Sequence, residues 1–274
     1  MKALLKSYNL MGDGLVATPS IKAFYKHYQA QFPDLSITLA TDPGPVSVIY
    51  QRVGVPLELL TCPREEVDDR GFDFVFEFNI SRAWQIGTCS NVPSALAHAA
   101  MLGVALESIS PVYQVPEEIL GPAPSELILF QPYSVSCSSH SGQPANKRWQ
   151  DEKWVQIYQW LRRDFPDIGL RVLGSAKDQT VPGLPEEDHC FGLHLDAVAA
   201  LQNKARLVLT LDSGVAHLAA SQDARIVELY PECLPSRWMS HLECSRYRMI
   251  HARPWDVSPE LVYNLVYEQM TEKA

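Results

Sequence analysis

One short stretch combines residues that can bind an anion with a setting that could hold them in place. The apolar run Leu207–Leu211 ends abruptly in Asp212-Ser213-Gly214, and helix-compatible residues follow. This pattern predicts a buried strand, a tight turn and a helix N-terminus. Unpaired backbone N–H groups and the positive end of the helix dipole at such a start attract an anion such as a pyrophosphate. Ser213 is predicted to cap the helix, and His217 lies on the same face.

The same stretch has a plainer interpretation. Asp212 and Ser213 could simply cap a helix, with His217 as a half-buried packing residue. Taken alone, these residues do not separate anion binding from ordinary helix capping. The rest of the chain has to decide between the two.

A second candidate lies near the N-terminus, where Gly12-Asp13-Gly14 follows the predicted first strand. The two glycines would let the backbone turn sharply, which would hold Asp13 at the tip of a strand-to-helix loop. The helix is predicted to open with Thr18 as its cap and Pro19 at its first position, where proline is tolerated. The alternative for Asp13 is an ordinary loop aspartate that binds nearby backbone N–H groups.

Both candidates belong to alternating series of strands and helices, a pattern typical of parallel α/β sheets. A proline-bearing segment, 110–124, separates two such series and predicts an interdomain linker. We therefore predict an α/β protein with two Rossmann-like domains, residues 1–122 and 123–274. The terminal helix, 258–272, belongs to the second domain or packs back on the first. The cleft between the domains is where a ligand is expected.

Within the second series, one helix has a clear amphipathic pattern. Residues 151–164 are predicted to form about three turns, with one apolar stripe facing a core. The stripe consists of Trp154, Ile157, Tyr158 and Leu161.

Composition sets limits on the function. The 274 residues, 46% of them hydrophobic, suffice for two moderate domains. A net charge of -9 argues against general nucleic-acid binding. The six cysteines show no metal-ligand spacing, so we expect reduced thiols and no metal. Neither a signal-peptide core nor a membrane-spanning run is present in the sequence, which predicts a cytoplasmic protein.

Three segments, in this order, resemble glycosyltransferase family 9, the ADP-heptose:lipopolysaccharide heptosyltransferases. The resemblance implies a GT-B fold, in which two Rossmann-like domains face each other across a cleft. Of the three segments, the last is the most specific. The segments are Gly12-Asp13-Gly14-Leu15-Val16-Ala17-Thr18-Pro19-Ser20-Ile21, Lys147-Arg148-Trp149 before a Trp-bearing helix, and Asp212-Ser213-Gly214-Val215-Ala216-His217-Leu218-Ala219-Ala220.

The resemblance also implies an inverting transfer of a sugar. Asp13 would be the general base that takes a proton from the acceptor hydroxyl as it attacks the anomeric carbon. Lys147 would pair with the diphosphate of the donor. The helix start at Ser213 and Gly214 would share the charge of the departing nucleoside diphosphate, so no metal is required.

Three further residues receive less definite roles from the resemblance. Asp212 would hold the hydroxyls of the donor or shape the turn, because two anions would repel. His217 would sit beside the phosphates. Arg148 could share the anion or be exposed to solvent.

Two departures from the family pattern leave the identity of the donor open. Leu173–Asp178 has no glutamate where many relatives place one, and Tyr230-Pro231-Glu232-Cys233 replaces the usual Phe-Gly-Pro-Thr. The transferred sugar is therefore expected to be heptose or a similar sugar, and ADP-heptose is not assumed. The loop Ser134–Gly142 is expected to order when the donor binds.

The expected partners follow from this interpretation. They are a nucleotide sugar and a saccharide acceptor of a surface glycan such as lipopolysaccharide, with no cofactor and no nucleic acid. Peripheral membrane contact would come through the acceptor. The alternative is a non-catalytic GT-B-like protein that binds nucleotide sugars, suggested by an N-terminal half shorter than is usual in the family. A sugar-nucleotide epimerase is not excluded by the sequence alone.

Overall fold

The computed structural model describes most of the chain in two compact units. The first consists of Met1–Gln114 together with Glu243, and the second contains the other described residues from Val115 onward. Each unit is built on a parallel β-sheet with helices in the connections, as predicted. The described residues are 1–79, 83, 85–86, 92–121, 126–133, 148–230, 243, 246–253 and 256–272.

The first unit has a four-stranded sheet in the order β3-β2-β1-β4. The strands are β1 (Lys2–Lys6), β2 (Ser36–Thr41), β3 (Glu58–Thr61) and β4 (Phe74–Glu77), and the helices are α1 (Met11–Gln29), α2 (Pro45–Gln51) and α3 (Ser94–Met101). Leu4 in β1 pairs with Thr38 on one side and Val75 on the other. Strand β1 is therefore central, and its run Ala3, Leu4 and Leu5 is fully buried because both faces are covered.

Helix α1 begins at Met11, so the predicted start at Thr18 and Pro19 is wrong. Proline has no N–H, and within a helix it leaves the carbonyl four residues earlier without its usual partner. That carbonyl belongs to Leu15, and Thr18 Oγ1 donates to it at 2.7 Å. The same hydroxyl accepts the N–H of Val112 at 2.7 Å. Thr18 thus allows the helix to continue through Pro19.

The second unit has a six-stranded sheet in the order β10-β9-β8-β5-β6-β7. Strands β5, β8 and β9 are buried along their whole length. The elements are α4 (Glu117–Leu120), β5 (Leu127–Gln131), α5 (Asp151–Asp164), β6 (Gly169–Gly174), β7 (His189–Phe191), α6 (Leu195–Lys204), β8 (Leu207–Leu211), α7 (Gly214–Ser221), β9 (Ile226–Tyr230), β10 (Tyr247–His251) and α8 (Pro259–Thr271).

Helix α5 has the predicted boundaries, and its predicted stripe is buried in the core of the second unit. Helix α8 contributes Val262, Val266 and Met270 to the same core. The rings of Trp160 on α5 and Tyr263 on α8 meet edge to face, with centroids 5.3 Å apart. The terminal helix therefore packs within the second unit.

The boundary between the units differs from the predicted one at 122/123. Gln114 still belongs to the first unit, where its N–H donates to Arg52 O at 2.8 Å. The following segment packs with the second unit, since a Cβ on Gly121 would lie 2.8 Å from Lys204 Nζ. Glu243 is grouped with the first unit again, where its carboxylate accepts the N–H of Ile109 at 3.2 Å.

Three further features bear on the predictions made from the sequence. Cys62 and Cys190 are free thiols, whereas Cys89, Cys137, Cys233 and Cys244 lie outside the described residues. Across the described ranges, no three His, Cys, Asp or Glu side chains are grouped to hold a metal ion. None of the described helices combines the length and the apolar character needed to cross a bilayer.

Candidate active site

The order of strands in the second unit marks a place where ligands bind in open α/β sheets. The order reverses between β5 and β8, which are neighbours: Gln131 at the end of β5 pairs with Thr210 in β8. In such sheets the ligand crevice lies outside the carboxyl ends of the strands at this switch point. Strand β8 runs directly into Asp212-Ser213-Gly214. The predicted anion-binding turn therefore lies where this fold places ligands.

Ser213 is the N-cap of α7, as predicted, with extended backbone at φ -160° and ψ 168°. Its side chain makes no capping hydrogen bond, and Ser213 Oγ is buried without a partner among the described residues. A buried hydroxyl without a partner destabilises a protein unless a ligand or water satisfies it. Together with the first-turn N–H groups of the helix, this hydroxyl can donate to an anion.

Asp212 and His217 are both nearly closed to solvent, with 7% and 5% of their surface exposed. The backbone N–H of Asp212 donates to Leu229 O at 3.2 Å, which extends the pairing of β8 with β9. From α6, Gln202 Nε2 donates to Val215 O at 3.0 Å and fixes the first turn of α7. At this helix start Ser213, Gly214 and Val215 are partly exposed.

Of the predicted basic segment, Lys147–Trp149, the structure describes Arg148 and Trp149. Lys147 and the loop Ser134–Gly142 lie outside the described residues. Arg148, which precedes α5, pairs with Asp151 at 2.9 Å, and 58% of its side chain is exposed. Trp149 is fully buried and donates from Nε1 to Val257 O at 3.1 Å. Trp149 therefore anchors the chain immediately after Lys147.

A buried carboxylate next to the turn was not singled out from the sequence. Glu228 in β9 is fully buried, pairs with Thr210 in β8 and accepts a hydrogen bond from Tyr247 OH at 2.8 Å. Burial raises the pKa of Tyr247 far above its ordinary value, with the charge of Glu228 adding to the effect. The phenol thus remains a donor at neutral pH. The signal in the sequence was a carboxylate inside the apolar strand Val227-Glu228-Leu229.

In the first unit, Asp13 lies in the first turn of α1. This helix follows β1, beside which the strand order of the first sheet reverses, so Asp13 comes from the corresponding switch point. A carboxylate in a first helical turn is stabilised by the helix dipole. The position at a loop tip was wrong, because the loop ends at Leu10.

The predicted role of Gly12 and Gly14 as turn-forming residues is also wrong. Both lie within α1, and neither has a positive φ. Gly14 instead packs closely against α2, because a Cβ at this position would lie 3.1 Å from Val46 Cγ1. The glycine therefore lets α2 approach the turn that carries Asp13.

A buried polar cluster beside Asp13 was also missed. Tyr50 OH and Ser7 Oγ are 2.5 Å apart, and Asn9 Nδ2 donates to both oxygens. The only signal in the sequence was the pair of polar residues, Ser7 and Asn9, between an apolar strand and Gly12. Nothing in the sequence indicated that Tyr50 reaches them from α2.

Comparisons with known proteins place this geometry in a wider context. Residues 90–264 match the model of glycosyltransferase family 9 (heptosyltransferase). No curated protein matches the sequence. The chain superposes on E. coli ADP-heptose LPS heptosyltransferase II with a TM-score of 0.73 at 16% identity, covering 98% of both chains.

Two other solved structures are similar. A family 9 glycosyl transferase from Veillonella parvula superposes with a TM-score of 0.71 at 17% identity, covering 99% of this chain and 98% of that one. The E. coli heptosyltransferase WaaC with ADP gives 0.69 at 13% identity, covering 98% and 100%. These likenesses confirm the predicted GT-B fold of two Rossmann-like domains.

Proposed function

The chain belongs to glycosyltransferase family 9, and from this premise we propose that it moves a sugar from a nucleotide-diphosphate sugar to a saccharide acceptor. The proposed donor carries heptose or a similar sugar, with ADP-heptose as the first candidate. The proposed acceptor is a surface glycan such as lipopolysaccharide. One observation carries the proposal: the β8–α7 turn, which lies inside the segment matched by the family model, presents an unpartnered Ser213 hydroxyl at a helix start.

The second unit is proposed to bind the diphosphate of the donor. Ser213 and the first-turn N–H groups of α7 would donate to its oxygens, and Lys147 would supply a positive charge. As the bond between the anomeric carbon and the diphosphate breaks, the electron pair leaves with the nucleoside diphosphate. These fixed donors would stabilise that growing charge, so the reaction would need no metal. Asp212 and His217, both nearly buried, would support the turn from within.

The first unit is proposed to supply the base. The acceptor hydroxyl would attack the anomeric carbon from the face opposite the diphosphate, which inverts the configuration at that carbon. Asp13 would take the proton of the hydroxyl as the new bond forms. Its position in the first turn of α1, after the central strand of the sheet, supports this role, because side chains at such strand ends line the ligand site of the fold.

Binding and turnover measured on the same preparation test the proposed function. Calorimetric titrations with ADP, UDP and GDP should show binding of one nucleotide in clear preference to the others. ADP-heptose supplied with de-acylated lipopolysaccharide should then yield a glycosylated product of inverted configuration, and the rate should be unchanged by EDTA. Nucleotide binding without turnover against a panel of saccharides would favour the non-catalytic binding protein. The absence of nucleotide binding would contradict both.

A further inference from the structure

Tyr50 is a buried, titratable residue for which the transfer reaction has no direct use. It lies on α2 and is fully buried, as is Ser7, while Asn9 is 7% exposed. Ser7 and Asn9 both belong to the short connection between β1 and α1. The phenol of Tyr50 therefore links α2 to the connection that leads into the turn carrying Asp13.

The contacts hold this connection from both sides. Asn9 Nδ2 donates to Ser7 Oγ at 2.7 Å and to Tyr50 OH at 3.3 Å. The backbone N–H of Ser7 donates to Ala40 O at 2.9 Å, which ties it to the neighbouring strand. Gly14, beyond Asp13, packs against α2, and a Cβ added to this glycine would lie 3.6 Å from Tyr50 OH. The same phenol thus lies against the chain before and after Asp13.

The three bonds of this cluster leave one hydroxyl hydrogen unused. The bond between Ser7 and Tyr50 uses one of the two hydroxyl hydrogens, whichever residue donates. Asn9 Nδ2 donates to both oxygens, so the other hydroxyl keeps a hydrogen that none of these three bonds uses. A buried hydroxyl stays protonated here, because burial raises the pKa of Tyr50 to about 12. The carboxylate whose charge is felt at Tyr50 is that of Asp13.

We propose that Tyr50 is a positioning residue for Asp13: with Ser7 and Asn9 it fixes the turn that carries the carboxylate and turns a hydroxyl hydrogen toward it. This inference rests on the proposed function for its catalytic meaning, since it assigns Tyr50 to the proposed base. A donor facing the carboxylate favours its ionised form, the form that accepts a proton. Removing the phenol oxygen therefore lets the carboxylate take up a proton at higher pH, and it loosens the turn that holds the carboxylate.

The direct test is a pH titration of the Asp13 carboxyl carbon by NMR, assigned by its loss in Asp13→Asn. In Tyr50→Phe the midpoint should move to higher pH by about half a unit or more, as for one lost hydrogen bond to a carboxylate. Tyr28→Phe is the matched control, since it removes a half-buried hydroxyl at the other end of α1. An unchanged midpoint in a folded Tyr50→Phe protein overturns the inference. Ser7→Ala, which removes the second hydroxyl, serves if Tyr50→Phe does not fold.

Transfer kinetics separate this inference from the proposed function. With ADP-heptose and de-acylated lipopolysaccharide, Tyr50→Phe should lower kcat by about tenfold and shift the acidic limb of the pH profile upward, with KM for the donor unchanged. If Tyr50 had only a structural role, Tyr50→Phe would lower the free energy of unfolding and leave the acidic limb of the pH profile unchanged. If the carboxyl titration moves but Asp13→Asn retains full activity, the positioning role stands and the proposed base falls. If Asp13→Asn is inactive and Tyr50→Phe leaves both readouts unchanged, the positioning role falls alone.

Discussion

At the level of single residues, two serines of the second unit occupy N-cap positions, but only one makes a capping hydrogen bond. Ser258 Oγ accepts the N–H of Leu261 at 3.3 Å at the start of α8. Ser213 at the start of α7 makes no such bond, and its hydroxyl is buried without a partner among the described residues. Ser258 therefore stabilises its helix, whereas the Ser213 hydroxyl is available to a ligand.

We predict that Ser213→Ala weakens ADP binding by about tenfold, the effect of one lost hydrogen bond to a charged group. Its free energy of unfolding should change little, because no capping bond is lost. Ser258→Ala should do the reverse, costing about 1 kcal/mol of stability with normal ADP affinity. Calorimetry and urea unfolding of both variants measure the two effects. Equal ADP affinity in wild type and Ser213→Ala would remove the hydroxyl from the donor site.

The sequence predicted where the candidate site residues lie in the strand-turn-helix pattern, but not their burial or their contacts. Asp212-Ser213-Gly214 lies where the apolar run ends, because a hydrophobic strand followed by turn residues is a local signal. Neither the burial of His217 nor the missing cap bond at Ser213 follows from a local residue pattern. The cluster of Ser7, Asn9 and Tyr50 depends on how α2 packs, which no local pattern reports.

At the level of elements, the helix with the clearest periodic pattern was predicted with its ends, whereas the start of α1 was predicted wrongly. Helix α5 was predicted with its correct ends because its buried stripe repeats over the whole helix. The predicted start of α1 was too late, because a Thr-Pro pair is typical of a helix start. The bonds of Thr18 to Leu15 and Val112 cannot be predicted from the neighbouring residues. Four elements without a strong pattern, α4, β7, α6 and β10, were not predicted.

Thr18→Val should destabilise the first unit by about 2–3 kcal/mol, because it leaves the Leu15 carbonyl and the Val112 N–H without a buried partner. Thr271→Val is the matched control. That hydroxyl also bonds back to a helical carbonyl, Tyr267 O, but is exposed, so water replaces the bond. Thermal and urea unfolding of the two variants measure the difference. Equal stabilities would mean that Thr18 does not hold the helix through Pro19.

Helix α3 carries a histidine that should make the first unit sensitive to acid. Burial lowers the pKa of His98 from 6.5 to about 4. Between these values the unfolded chain binds a proton that the folded chain does not, so the free energy of unfolding falls as pH falls from 6.5 to 4. The loss attributable to His98 is about 2–3 kcal/mol at pH 4.

His98→Leu should remove most of that acid dependence, whereas His27→Gln, at an exposed position on α1, should retain it. Urea unfolding of each protein at several pH values between 4 and 7 gives the comparison. If the stability of His98→Leu falls with pH as steeply as that of the wild type, His98 is not the source of the acid sensitivity.

At the level of the whole molecule, the two units are built on the same plan. In each, the first strand of the unit is central, the strand order reverses beside it, and predicted site residues follow strands that adjoin the reversal. The two-domain fold was predictable because alternating strands and helices occur twice, separated by a proline-bearing segment. The boundary between the units was not predictable, because α4 packs with the second unit through contacts that the composition of the linker does not indicate.

The family match and the proposed chemistry cover different parts of the chain. The matched residues, 90–264, include the Ser213 turn but not Asp13. The proposed base therefore depends on the resemblance of the N-terminal segment and on the placement of Asp13 in the first turn of α1. The variant that removes this carboxylate bears on the central claim more directly than any other.

That measurement compares the rate of sugar transfer from ADP-heptose by wild type, Asp13→Asn and Asp34→Asn, with ADP affinity determined for each. Asp34 is an exposed aspartate of the first unit and serves as the control. We predict that Asp13→Asn loses transfer by about 100-fold or more, the usual contribution of a general base, while binding ADP as the wild type does. Transfer by Asp13→Asn at the rate of Asp34→Asn would contradict the assignment of Asp13 as the base.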